Sequence, residues 1–156
     1  MGDIGMENAI DTDLNCTCYR VRKAARALTQ FYDDALADAG ATLTQMSVLT
    51  ELSRTPNVSV TALGKRLGMD RTTLSRTIKP MLRDGWIKSG KSEDRRARNL
   101  EVTDTGIETL THCNDGWRQA ESRMLRTIGR ENRTALFDLL DQVGGAVRET
   151  EPAKVA

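Results

Sequence analysis

The sequence predicts a mainly α-helical protein, a winged helix-turn-helix with long helices at its N- and C-terminal ends. Two short helical segments punctuated by glycine, Ser59 to Leu67 and Arg71 to Arg83, follow one another directly. A dense charge cluster from Ser92 to Arg98 comes next, and Leu100 to Val102 then alternates as a strand with one buried face does. A helix-turn-helix followed by a basic hairpin is the layout of a winged-helix DNA reader.

The composition indicates one soluble domain in the cytoplasm, with no membrane partner. The chain has 156 residues, a polar and acidic start, and no run that approaches the roughly 20 apolar residues of a transmembrane helix. Its three cysteines fit no disulfide framework and no paired zinc site, so we expect reduced thiols. His112 has no second histidine or cysteine at metal-ligand spacing, and we expect neither a metal nor a cofactor.

The charge is unevenly distributed along the chain. From Val60 to Leu100 eleven basic residues stand against four acidic ones, a net charge of +7, whereas the whole chain carries only +1. The remaining residues therefore carry about −6, and phosphates should be attracted to the central module and repelled by its flanks.

The first two helices follow from apolar spacing. Apolar residues at three- and four-residue steps predict a helix over 13–39 that stops at Gly40, after a disordered tail over 1–12. Thr44 is expected to cap the second helix, which should close before Pro56.

The central elements carry clear start and stop signals. Ser59 should cap the third helix, which Gly68 ends, and Asp70 should cap the fourth helix. The fourth helix should end at Gly85 and lead into the first strand of the hairpin. The winged helix is thereby expected over about 43–103.

Two more amphipathic helices are expected over 104–148, separated by Gly129, before a flexible tail over 149–156. Thr103 and Asp104 can cap the first of them. A single winged helix does not need the long terminal helices for its core, so their apolar faces should pack together and against a second copy. Residues 13–148 are then one domain of a symmetric homodimer.

Three segments of the chain carry a family pattern. The second helix opens with Leu43 to Gln45, and the recognition helix begins with Met69 to Arg76. The most specific segment is the wing pattern Asp-x-Arg-x-x-x-Leu-x-(Leu/Val)-Thr, present as Asp94, Arg96, Leu100, Val102 and Thr103. With these segments the chain resembles, from Leu14 to Val147, the MarR family of winged-helix regulators. The resemblance implies a homodimer of order α1-α2-β1-α3-α4-β2-wing-β3-α5-α6, with interlocked termini.

The expected partner is double-stranded DNA. Side chains near the N-terminus of a recognition helix reach base edges in the major groove, and Arg76 is the best candidate for a bidentate guanine contact. Lys79, together with the amide end of the third helix near Ser59 and Thr61, would hold phosphates. The candidates for base contacts are Arg71, Thr72, Thr73, Ser75 and Arg76.

In the wing, Arg96 resembles the family's minor-groove arginine, held in place by Asp94, while Arg95 and Arg98 add positive charge. The alternatives are structural. Asp94 would then be only a hairpin-turn residue, and Asp70 would be only a helix cap. The exposed arginines and lysines would be solvated without touching DNA. The clustering of these residues on one module favours the DNA-binding interpretation.

One candidate signal is an oxidant. Cys18 and Tyr32 have the fourteen-residue separation of the reactive cysteine and a tyrosine in the family's organic hydroperoxide resistance branch. Arg22 stands where that branch has a second tyrosine, and its positive charge one turn away would favour a reactive thiol. Cys16 points to nearly the opposite side of the helix, so the two cysteines do not bridge without distortion. The alternative is that Cys18 is a small core residue.

The competing signal is a small aromatic or anionic effector. The resemblance places it between the terminal helices and the winged helix over about 43–103, which we call the reading module. The candidate lining residues are Tyr19, Arg22, Arg26 and Met46.

The sequence therefore predicts a dimeric repressor or activator that reads a pseudo-palindromic operator with half-sites about one helical turn apart. A repressor that such a signal releases is the first candidate. An enzyme is not expected, because no phosphate loop, nucleophile elbow or cysteine-histidine arrangement is present. A protein-docking module is the remaining alternative, but it would carry an acidic or apolar recognition helix, and the helix here is basic and polar.

Overall fold

A computed structural model describes residues 16–91 and 98–150. It confirms the predicted fold class, since helices dominate and the strands form one small sheet. The expected tail over 1–12 and the tip of the wing lie outside the described residues. In chain order the elements are α1 (Thr17–Ala35), a 3₁₀ helix (Ala37–Ala39), α2 (Leu43–Arg54), β1 (Val58–Ser59), α3 (Val60–Leu67), α4 (Arg71–Arg83), β2 (Ile87–Ser89), β3 (Asn99–Val102), α5 (Asp104–Ile128) and α6 (Arg130–Thr150).

The chain divides into two compact units after Gly116. The first unit holds α1 to β3 and the first half of α5, and the second holds the remainder of α5 and α6. The single domain expected over 13–148 stays a prediction.

The three strands form an antiparallel sheet of order β1-β3-β2. Val58 pairs with Leu100, and Ile87 pairs with Val102. Leu100 is fully buried and Val102 packs partly buried against the core, as predicted, but Glu101 between them is also half-buried, so the predicted one-sided strand is seen only in part. The hairpin of β2 and β3 forms the base of the wing and carries Arg98 beside the start of α3, where the amide of Val60 donates to the Arg98 carbonyl at 2.9 Å.

One hydrophobic core holds the helix-turn-helix against the sheet. It buries one side of α2, α3 and α4 against all three strands. The apolar side of α4 is therefore fixed in the core, and its other side is exposed. The buried members are Val48, Leu49, Leu52, Val58, Leu63, Leu74, Ile78, Met81, Ile87 and Leu100.

The central caps are confirmed. The Ser59 hydroxyl accepts from the amide of Ala62, and Gly68 ends α3 in the left-handed conformation with φ 62°. Asp70 caps α4. Thr103 also caps α5, because its hydroxyl oxygen accepts from the Gly106 amide at 3.1 Å.

The expected cap at Thr44 is wrong. The cap is Thr42, whose hydroxyl accepts from the Gln45 amide, while the Gln45 side chain accepts from the Thr42 amide at 2.9 Å. This reciprocal capping box satisfies two donors at once, and it places Thr44 inside α2.

The bounds of the terminal helices also differ from the prediction. The α-helical part of α1 ends at Ala35, because Leu36 is buried and the chain tightens into a 3₁₀ turn before the left-handed Gly40. At the other end α6 continues to Thr150, so Glu149 and Thr150, which were expected in the flexible tail, are helical.

The terminal helices expose apolar side chains in the single chain. α1 buries no residue, and Tyr19, Val21 and Leu28 are exposed on it. Packing against a second copy, predicted from the same pattern, stays a prediction. Exposed apolar residues of α6 are Leu136, Phe137, Leu139, Leu140, Val143 and Val147.

Across residues 16–91 and 98–150, no helix has the length and apolar character needed to cross a bilayer.

Candidate nucleic-acid interface

The exposed side of α4 presents four of the residues predicted to contact DNA as one stripe. Thr72, Ser75, Arg76 and Lys79 recur at three- and four-residue steps and are all exposed. The opposite side of the helix is buried in the core through Leu74 and its successive apolar neighbours. The stripe therefore faces solvent along two turns of α4.

The N-terminus of α4 is fixed by Asp70. One carboxylate oxygen accepts from the amides of Thr72 and Thr73 at 2.8 and 2.9 Å, and the other accepts from the Thr73 hydroxyl at 2.6 Å. The hydrogen bonds from Thr73, above all that of its hydroxyl, lower the pKa of Asp70 below the ordinary carboxyl value. The hydroxyl proton of Thr73 is thus used within the protein, and only its oxygen lone pair and methyl group remain for a base.

A groove with a cavity volume of about 670 Å³ lies between α3, the start of α4 and the base of the wing. Its floor includes the apolar side chains of Met69, Leu74 and Ile78. Five residues predicted to contact DNA line this groove, together with Lys65, for which no DNA contact was predicted. The hydroxyl-bearing and basic residues that line it are Ser59, Thr61, Lys65, Arg71, Ser75 and Arg98.

Lys65 is the functional candidate that sequence reasoning missed. It lies one turn after Thr61 on α3 and is exposed, whereas Leu63 and Leu67 point to the core side of the same helix. The spacing of Thr61 and Lys65, four residues apart on the polar face, was the available signal.

Three basic side chains near this surface are neutralised by carboxylates. Arg66 binds Glu51 at 2.8 Å, and Lys88 lies 3.5 Å from Glu101. The third pair joins the exposed Arg83 to its neighbour Asp84, with contacts at 2.7 and 3.0 Å. In this pair the shared hydrogen bond raises the pKa of Arg83 and lowers that of Asp84.

The other basic residues of the module lack an ion pair within the part of the chain that the structure describes. Each of them is exposed, and three of the six line the groove. The unneutralised positive charge is therefore concentrated along α3, the exposed stripe of α4 and the wing base. These residues are Lys65, Arg71, Arg76, Lys79, Lys91 and Arg98.

The predicted wing contacts are only partly visible. Arg98 lies at the wing base, beside α3. Asp94, Arg95 and Arg96 lie outside the described residues, so the brace between Asp94 and Arg96 stays a prediction.

The thiols fall into two classes. Cys16 and Cys18, at the start of α1, are exposed, whereas Cys113 on α5 is fully buried. Burial raises the pKa of the Cys113 thiol, which makes this thiol less reactive and less accessible.

The structure does not place the four expected effector contacts on one surface. Tyr19, Arg22 and Arg26 are exposed on α1, while Met46 of α2 is buried in a small core cluster. Tyr32, the expected companion of Cys18, is half-buried and makes an edge-on contact with the neighbouring Phe31 ring at 5.4 Å.

The sequence is similar to known regulators. A profile of the MarR family matches residues 41–97, which include α2, the helix-turn-helix and most of the wing. The HTH-type transcriptional regulator BilQ of Clostridium symbiosum (strain WAL-14163) is 24% identical over 117 residues, which are 74% of this chain and 81% of BilQ.

The fold is also similar to solved regulators. The transcriptional regulator MosR of M. tuberculosis in complex with DNA matches with a TM-score of 0.74 and 34% identity, over 85% of this chain and 98% of MosR. The transcriptional repressor CouR bound to p-coumaroyl-CoA matches with a TM-score of 0.77 and 23% identity, over 88% of this chain and 98% of CouR. Because the identity to CouR is low, its likeness shows a shared fold and no shared role.

Proposed function

Since the chain belongs to the MarR family of DNA-binding transcriptional regulators, we propose that it is a homodimeric repressor whose two copies read a pseudo-palindromic operator. Each copy contributes the exposed stripe of α4 and the groove beside it. The half-sites then lie about one helical turn of DNA apart, as two-fold symmetric readers require.

The observation that carries the proposal is the division between neutralised and free cations. Arg66 and Arg83 are bound by carboxylates, whereas Lys65, Arg76 and the other exposed cations of the α4 stripe and the groove have no ion pair among the described residues. The stripe and the groove together are called the reading surface. Free cations on one surface release counterions when they meet phosphates, which gives both affinity and a steep salt dependence.

The roles follow from position on that surface. Arg76 and the hydroxyl-bearing residues of the α4 stripe face the major groove, and Arg76 takes a guanine with both of its terminal nitrogens. Lys79 contacts a phosphate next to that stripe. Lys65 and Arg98 contact phosphates from the groove, together with the amides at the start of α3.

The wing extends the contact beyond the major groove. Arg96, which matches the family's wing motif, enters the neighbouring minor groove, with Asp94 holding its guanidinium and Arg95 adding charge. The exposed apolar faces of α1 and α6 are covered by the second copy. The likeness to MosR, which was solved in complex with DNA, supports DNA as the partner.

The experiment compares Arg76→Ala with Arg83→Ala, which removes the same charge from the same helix. Footprinting on the region upstream of the coding sequence first identifies the operator, and fluorescence anisotropy then measures binding to operator and scrambled duplexes. Loss of one bidentate guanine contact costs about 1–3 kcal/mol, so Arg76→Ala should weaken operator binding by roughly 5- to 150-fold for each half-site that a copy reads. Arg83→Ala should have a much smaller effect, because Arg83 is bonded to Asp84 and takes no base contact in this proposal; any loss caused by the uncompensated Asp84 carboxylate should be the same on operator and scrambled duplexes.

Equal losses in the two variants would contradict the base-reading role and leave only general electrostatics. Failure of the wild type to bind any upstream duplex at low ionic strength would refute the proposed function itself.

Two signals compete to release the operator. An oxidant acting at Cys18 is favoured by the exposure of this thiol at the start of α1. A small aromatic or anionic effector is the other candidate, by analogy with CouR, which was solved with p-coumaroyl-CoA. The footprint repeated with a hydroperoxide and with phenolic acids, on wild type and Cys18→Ser, distinguishes them. Peroxide release that Cys18→Ser abolishes supports the thiol, and release by phenolic acids alone supports the effector.

A further inference from the structure

The end of α1 is tied to the start of α2 by one side chain. The Asp33 carboxylate accepts a hydrogen bond from the backbone amide of Leu43 at 2.6 Å, across ten residues of sequence. Leu43 is the first residue of α2, and its amide has no partner within that helix. The contact is partly buried, which shields it from water.

Apolar packing closes around the same place. Leu36, Ala41, Met46 and Cys113 form a buried cluster that joins the end of α1, the connection, α2 and α5. Gly116, one turn after Cys113, lies so close to the carbonyl of Ala35 that a Cβ would overlap the oxygen. These contacts and the Asp33 hydrogen bond together form what we term the α1–α2–α5 junction.

The junction is connected to the core of the reading module. Trp86 and Leu110 pack against both the junction cluster and the main core beneath α4. A rotation of α1 relative to α2 would therefore disturb packing that continues to the recognition helix. The hydrogen bond of Asp33 is the directional contact in this connection, since apolar contacts tolerate sliding more readily than a hydrogen bond does.

We propose that Asp33 is a positioning residue that fixes α1, and the partner copy packed on it, at a set angle to the reading module. It thereby sets the half-site spacing that the dimer accepts. The inference rests on the proposed function, because it needs a dimer that reads two half-sites. Asp33 belongs to neither the groove nor the α4 stripe, and it acts through the start of α2.

A matched control lies next to it. Asp34 carries the same charge on the same helix, but it accepts from the Gln30 side chain at 2.7 Å, within α1 itself. Asp34→Ala therefore removes an equal charge without touching the junction. Asp33→Asn keeps a side-chain oxygen that can accept from Leu43, whereas Asp33→Ala does not.

The test measures binding of the full-length variants to three duplexes by anisotropy. One holds the full operator, the second a single half-site, and the third the operator with its half-sites one base pair further apart. Asp33→Ala should bind the half-site as wild type does and lose on the order of ten-fold on the full operator, the scale of one charged hydrogen bond. Its preference for the native spacing over the altered one should shrink by a similar factor.

Asp34→Ala and Asp33→Asn should retain the wild-type spacing preference. The inference is overturned if Asp33→Ala keeps the wild-type preference, if it loses half-site and operator binding equally, or if Asp33→Asn fails as Asp33→Ala does. Wild type that binds none of the duplexes refutes the proposed function instead, so the two failures are distinguishable.

Discussion

The adjacent residues Lys65 and Arg66 offer a sharp test of how positive charge is used on the reading surface. Both are exposed on α3, and each substitution by alanine removes one positive charge. Lys65 lines the groove without an ion pair among the described residues, whereas Arg66 is bound by Glu51 at 2.8 Å. Only Lys65→Ala should therefore remove a phosphate contact.

The magnitude follows from counterion release. Each phosphate contact contributes about 0.9 to the slope of log Kobs against log salt concentration, so a dimer that loses Lys65 twice should lose about 1.8. At 0.1 M salt this corresponds to roughly eight-fold weaker binding for each copy and up to about 60-fold for the dimer. The slope for Arg66→Ala should remain close to that of wild type.

The assay is a salt titration of operator binding by fluorescence anisotropy, from about 0.05 to 0.3 M monovalent salt, the range in which this dependence is steep. Thermal unfolding of both variants serves as the control for folding. Parallel salt slopes for the two variants, or a larger loss for Arg66→Ala, would refute the assignment of the groove to phosphate binding.

Three further outcomes are expected. Gly106→Ala should destabilise the protein by about 1–3 kcal/mol in urea unfolding, because a Cβ there would overlap a backbone carbonyl; unchanged stability contradicts this packing. The pKa of Asp70 is lowered in the folded state, so its ionised carboxylate stabilises the folded protein at pH values above the ordinary carboxyl pKa. This stabilisation is lost as the pH falls through the lowered pKa. The melting temperature of wild type should accordingly fall relative to that of Asp70→Asn as the pH is lowered. A difference between the two melting temperatures that does not change with pH would contradict the stabilising role of the Asp70 carboxylate. Iodoacetamide should label Cys16 and Cys18 in the native protein and Cys113 only after unfolding, as mass spectrometry would detect; native labelling of Cys113 contradicts its burial.

The local features of the fold were predictable because their signals lie within a few residues of each other. Ser59 and Asp70 cap the helices that they precede, and Gly68 takes the left-handed conformation that ends α3. The exposed stripe of α4 was equally accessible, since helical periodicity alone assigns its polar side.

The features that the sequence did not reveal depend on tertiary contacts. The Arg66 to Glu51 pair joins residues fifteen apart, and the contact of Asp33 with α2 spans ten. Nothing in the local sequence distinguishes Lys65 from Arg66 as the cation that has no ion pair among the described residues. The choice of Thr42 over Thr44 was a local error, because the reciprocal partner Gln45 stands three residues after Thr42 and was the signal for the cap.

Two copies of the cationic reading surface are expected to engage one duplex. Sedimentation velocity of the complex with the footprinted operator, at low ionic strength, measures this stoichiometry directly. We expect two protein chains per duplex, with protection over two stretches about one helical turn apart. A complex that contains a single chain, or free protein beside free duplex, would contradict it.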